Sequence, residues 1–136
     1  MRRLIKWVED RNYEVVFKCG VESCFHDEEK RIYIDLKLSE KNQLYTLLHE
    51  IGHLIIFEGK DKRYIKQKNM EKDKRRIRSY VYKVLLLREE IEAWELGRGL
   101  AKELNIWFDE EEYDQRMTKC IKTYCEFVID PEQWEA

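Results

Sequence analysis

Proline is nearly absent from this chain, with one residue, Pro131, in 136. Glycine is scarce as well, at five. With so few backbone punctuators and many Lys, Glu and Leu residues, little interrupts long helices. No apolar run approaches the length that spans a bilayer, so a membrane-embedded chain is not expected. Arg2 and Arg3 near the start are followed by no apolar stretch, which argues against a secretory signal and for the cytoplasm. Neither sign of charge dominates: 26 basic and 28 acidic residues leave a net charge of -2, so overall charge gives no case for nucleic acid. Internal repeats and low-complexity segments are missing too. The four cysteines lack the two-residue gap of a zinc knuckle, because Cys19/Cys24 and Cys120/Cys125 are each separated by four residues. On a helix Cys120 and Cys125 would point roughly 140° apart, so reduced, partly buried thiols are expected, with a Cys19–Cys24 bridge as the competitor.

What is present suits one compact domain over residues 1–136, with a core at about 13–128 and a basic connecting segment at 59–78. The chain is 43% hydrophobic and 12% aromatic, while 40% charged residues call for a densely ionic surface. Residues 2–11 form a short amphipathic stretch. Residues 13–17 (YEVVF) and 31–36 (RIYIDL) read as strands, and 18–30 as a turn or loop. Ser39 is a candidate N-cap. Apolar residues at 44, 47, 48, 51, 54 and 55 keep helical spacing toward Gly59, a candidate C-cap. A second long helix is expected over Val81–Leu104. A third starts at the acidic run Asp109–Glu112 and reaches about Val128, with Pro131 closing it and a loose tail beyond. The fold class is therefore α+β: a small curved sheet packed on one central helix, followed by two further long helices.

That central helix carries His49-Glu50-Ile51-Gly52-His53, an H-E-x-x-H motif. Residues i and i+4 share a helix face one turn apart, so two imidazoles there can bind one Zn²⁺. The glutamate after the first histidine projects beside the ion, where it can take a proton from a zinc-bound water without being a ligand. On the wheel His49 and His53 lie opposite the centre of the apolar face, on a side that also carries Tyr45, Ile56 and Phe57. The helix is thus expected to be covered by the sheet on one face and partly covered on the other, with the histidines at the floor of a cleft.

A catalytic zinc needs a third protein ligand. His26, in the loop between the strands, is one candidate. The others lie on the second long helix, in Glu89-Glu90-Ile91-Glu92-Ala93-Trp94-Glu95. A core stripe there runs through Leu87, Ile91 and Trp94. Glu90 shares a face with Leu87, Ala93, Trp94 and Gly97, and the small Ala93 and Gly97 would allow close approach to the His helix. Glu90 is favoured and Glu92 stays open. Glu89 and Glu95 read as more exposed.

Leu36 to Phe57 (LKLSEKNQLYTLLHEIGHLIIF) resembles the ImmA/IrrE-type, gluzincin-like metallopeptidases and their phage-encoded relatives, the likeness extending over about residues 31–104. In that family a later helix carries E-x-E-A, which is matched here by Glu90-Ile91-Glu92-Ala93. The resemblance implies a single zinc ion held by His49, His53 and Glu90, with Glu50 as general base. Trp94 stands where the family usually has Asn or Asp. The implied activity is hydrolysis of a peptide bond in an intracellular protein, such as a transcriptional repressor. Tyr45 and Tyr64 are candidate oxyanion donors. The alternative is a zinc protein with little or no turnover that binds a protein or nucleic-acid partner through residues 60–78, which hold ten basic and three acidic side chains. That run reads as a solvated face or loop, or as an electrostatic guide at the cleft rim.

Overall fold

Ser39 opens the helix around which the other elements pack: its hydroxyl accepts the Asn42 N–H at 3.3 Å. The computed structural model describes residues 1–129. The elements are α1 (Arg2–Glu9), β1 (Glu14–Lys18), β2 (Cys24–His26), β3 (Arg31–Asp35), α2 (Glu40–Gly59), α3 (Lys62–Met70), α4 (Tyr80–Glu103) and α5 (Glu110–Ile129), with a 3₁₀ turn at Arg76–Arg78. The fold is α+β and mostly helical. Pro131 and the tail lie outside the described residues.

The strands form one mixed sheet in the order β1-β3-β2. β1 runs parallel to β3, with Val15 opposite Ile32 and Phe17 opposite Ile34. β2 runs antiparallel to β3, with Phe25 opposite Ile32. β2 falls inside the stretch expected to be loop. Three residues are too few to show alternation in sequence, and the ladder to β3 sets their conformation instead. All four cysteines are free thiols.

α2 is more enclosed than its helical wheel implied. Eight consecutive residues, Tyr45 to Gly52, are buried, between β2 and β3 on one hand and α4 on the other. Leu47, Leu48, Ile51 and Leu54 join Ile32 and Ile34 of β3 and Leu4 and Val8 of α1 in the core. Gly59 does not cap α2. It is the last helical residue, and Lys60 ends the helix in the left-handed region (φ 45°), its N–H reaching the Ile56 carbonyl at 3.0 Å.

Two glycines set how α4 crosses α2. A Cβ on Gly52 would lie 1.9 Å from the Ala93 carbonyl oxygen, and one on Gly97 would lie 2.3 Å from that of Leu48. The helices therefore touch backbone to backbone, antiparallel, as the small residues of α4 led one to expect. The core stripe of α4 is displaced from the expected one, since Trp94 is buried but Ile91 is exposed.

The basic connecting segment contains α3. Asp61 caps it, accepting the Tyr64 N–H at 2.8 Å, and Gln67 and Met70 are buried. Helical periodicity was masked there because one of its two buried residues is polar and basic side chains surround both. Among the described residues no helix is long and apolar enough to cross a membrane.

Candidate metal centre

The backbone contact between α2 and α4 brings three donors together. Glu90 lies one turn before Ala93 on α4, which places it against the two histidines of α2. His49 Nε2 is 2.8 Å from Glu90 Oε2, His53 Nε2 is 3.2 Å from Glu90 Oε1, and the two Nε2 atoms are 3.1 Å apart. Two donors about 2.0–2.1 Å from a tetrahedral zinc lie about 3.3 Å from each other. The two imidazoles thus stand at close to that separation, each against a different oxygen of the Glu90 carboxylate, and the donor chemistry of two imidazoles and a carboxylate fits the ion. Among the described residues these three form the cluster with metal-ligand spacing, all ligand atoms lying within 4.8 Å of one another.

Glu50 is buried beside this triangle and outside it, with Oε1 3.4 Å from His49 Nδ1. Burial pushes its pKa up. The two histidines pull it down, Glu90 pushes it up again, and the Phe25 N–H of β2 donates to it and pulls it down. The edge strand missed in the sequence therefore anchors the candidate general base.

The other candidates go elsewhere. His26 sits on β2, where its Nδ1 accepts the Glu29 N–H at 3.2 Å, away from the cluster. Glu92 is tied to Arg88. Tyr45 donates to Glu112 at 3.0 Å and packs edge-on against Tyr113, outside the main cleft. Tyr64 does line that cleft, a cavity of about 1030 Å³. Burial, then Glu89, raise its pKa to about 12, so its hydroxyl stays protonated.

Sequence reasoning passed over three supports. Glu89, read as exposed, is largely buried: its Oε2 lies 2.7 Å from His53 Nδ1, and its Oε1 accepts from Gln67 Nε2 of α3 at 3.1 Å. A carboxylate on the far nitrogen of a ligating imidazole fixes its tautomer and aim. Trp94, in place of the family's Asn or Asp, stacks on the His49 ring at 4.3 Å and 8°. Tyr124 of α5 is hydrogen-bonded to Glu90. Only Glu89 left a sequence signal, its adjacency to Glu90; Gln67 and Tyr124 come from distant elements.

A family model, Peptidase_M78 (IrrE N-terminal-like domain), matches residues 18–106. The chain belongs to the Peptidase_M78 family. No curated protein and no solved structure matches it. The Peptidase_M78 match contains His49, Glu50, His53 and Glu90, whereas α5, with Tyr124, lies beyond the matched span.

The donor triangle has a consequence for pH. Burial pushes the pKa of His53 down, but Glu89 and Glu90 outweigh it and raise the value to about 10. Burial raises both carboxylates, and their histidine partners outweigh it to leave them lowered. Stability from protonated His53 is complete below its unfolded pKa of 6.5 and is lost as pH rises toward about 10. Stability from Glu89 and Glu90 is present above 4.5 and is lost as pH falls below it. Metal-free protein should therefore melt at progressively lower temperature from pH 6.5 to 9. Added Zn²⁺ should reverse that slope, because a metal needs neutral imidazole. A metal-free melting temperature that climbs over this range would dismiss the protonated His53 pair.

Proposed function

We propose that the chain is a zinc-dependent peptidase that cleaves a peptide bond in an intracellular protein. One observation carries this reading: the two imidazoles and one carboxylate at ligand spacing have a second buried carboxylate, Glu50, beside them and unspent on the triangle. A site of purely structural purpose has no use for Glu50. Two nitrogens and an oxygen leave a position for water, the pattern of catalytic zinc. When bound, zinc supplies Lewis acidity that acidifies water and polarises the scissile carbonyl.

The chain's own groups do the rest. Glu50 takes the proton of the attacking water and passes it to the leaving amine. Its burial moves its pKa toward the range in which a carboxylate both accepts and returns a proton. Glu89 holds the His53 imidazole through its Nδ1, and Trp94 holds the His49 ring by stacking on it. Tyr64 offers a protonated hydroxyl to the developing oxyanion. Lys68 and Lys72 of the basic segment reach the cavity, where Lys68 pairs with Glu71 at 3.3 Å. A cytoplasmic transcriptional repressor is the substrate type we propose, in keeping with the family resemblance.

The test measures metal content and peptide hydrolysis together. A chelator should abolish hydrolysis, and one equivalent of Zn²⁺ should restore it. Glu90→Ala should lose the ion on dialysis. Glu89→Ala should keep it with affinity about 10–100-fold weaker. Full metal content in Glu90→Ala, or hydrolysis that survives complete metal removal, would reject the proposal.

A further inference from the structure

α5 adds a cation to the cleft that nothing in the proposed mechanism uses. Three arginines are half-buried among the described residues: Arg88, Arg98 and Arg116. Arg88 faces Asp61 and Glu92, and Arg98 faces Glu95, Glu110 and Asp114. Among the described residues Arg116 forms no ion pair with a carboxylate. Its Nη2 donates to the Thr46 hydroxyl at 3.0 Å. Burial without a counter-charge holds its pKa below the usual value. In a chain with 28 acidic residues, a partly desolvated guanidinium with no acid partner is conspicuous.

Its place is equally informative. Thr46 is buried and lies four residues, about one helical turn, before Glu50, about 6 Å along α2. Arg116, Thr46, His49 and Glu50 line the same cavity, with Lys119 of α5 beside them. An extended peptide advances about 3.3–3.6 Å per residue, so the step along α2 from Thr46, which holds Arg116, to Glu50 matches one or two substrate residues. The planar fork of a guanidinium matches a carboxylate through two parallel hydrogen bonds. Thr46 accepts one arm and fixes the fork's orientation, leaving other N–H groups for a ligand.

We propose that Arg116 is a specificity residue, binding a substrate carboxylate one or two residues from the cleaved bond. The carboxylate is either an Asp or Glu side chain or the terminus of the peptide. This inference rests on the peptidase reading for the word "cleaved", but the binding itself does not require turnover.

The experiment uses two synthetic peptide libraries. One is amidated, with Asp or Glu scanned against Asn or Gln at each position. The other lacks acidic side chains and is presented as free acid and as amide. Retention on immobilised, zinc-loaded Glu50→Gln protein reads binding without hydrolysis, and wild-type digestion reads cleavage. Carboxylate peptides should be favoured by about 10–100-fold over their amides, the range for a hydrogen bond to a charged group. Arg116→Gln should reduce that ratio to near one while leaving zinc content unchanged. Arg116→Lys, which keeps the charge without the fork, should retain part of it. Enrichment in the first library identifies a side-chain subsite, and enrichment in the second a terminal one. Equal retention of acids and amides by the Glu50→Gln protein, or a preference untouched by both Arg116 variants, overturns the proposal even if cleavage is seen. Carboxylate-selective retention with no cleavage leaves the subsite standing and removes the peptidase reading.

Discussion

Glu50→Gln should bind one zinc ion as tightly as the wild type and hydrolyse peptide about 10²–10⁴-fold more slowly, the range for losing a positioned general base. The separation follows from where Glu50 sits. It is buried beside the His49/His53/Glu90 triangle without being one of its corners, so an amide of equal size leaves the triangle intact. The amide can still accept the Phe25 N–H through its oxygen, which keeps the side chain in place. What it cannot do is take a proton. The loss should therefore fall on kcat, with KM little changed, because proton abstraction belongs to the transition state. The pH profile offers a second reading. Burial raises the pKa of Glu50, so wild-type activity should fall on the acid side at a pH above that of an ordinary carboxylate. The residual activity of the variant should not share that limb. A Glu50→Gln protein that hydrolyses peptide at the wild-type rate would remove Glu50 from the mechanism. One that loses its zinc would show that Glu50 is a ligand instead.

The parts of this site that could be read from sequence are those written locally. His49, Glu50 and His53 fall on one helix at fixed spacing, and the helix is announced by apolar residues and by Ser39 at its start. Glu90 needed one further step, a face shared with Ala93 and Gly97, and the glycine contacts between α2 and α4 explain why that step works. The rest was hidden for physical reasons. β2 owes its conformation to a neighbour rather than to its own three residues, yet it supplies the N–H that holds Glu50. α3 carries its buried Gln67 among lysines and arginines, so no apolar stripe marks it. Glu89 reads as a solvated charge in an acidic run, and only the position of His53 turns it inward. Trp94 is legible as a core residue, but nothing local says that its face covers an imidazole. Arg116 and Tyr124 reach the cleft from α5, more than twenty residues past the last motif, where the register is set by long-range packing alone.

Gly52 is the residue on which both the fold and the site turn, and Gly52→Ala should be among the most damaging of conservative substitutions. Its Cβ would lie 1.9 Å from the Ala93 oxygen, 2.5 Å from the carbonyl carbon and 2.6 Å from Cα. All three are backbone atoms, so no rotamer change can relieve the overlap. Either α4 moves away from α2 or the helices distort, and overpacking of this kind costs about 1–3 kcal/mol or more. The displacement also carries Glu90 and Glu89 on α4 away from His49 and His53, so metal affinity should fall together with stability. Gly99→Ala is the matched control. It lies on the same helix, α4, with no atom within 4 Å of an added Cβ, so alanine should stabilise it by about 0.5–1 kcal/mol through helix propensity. Urea unfolding and metal content measured on both variants separate the two effects. If Gly52→Ala matched Gly99→Ala in stability and in zinc retention, the close crossing of α2 and α4 would not be what assembles the site.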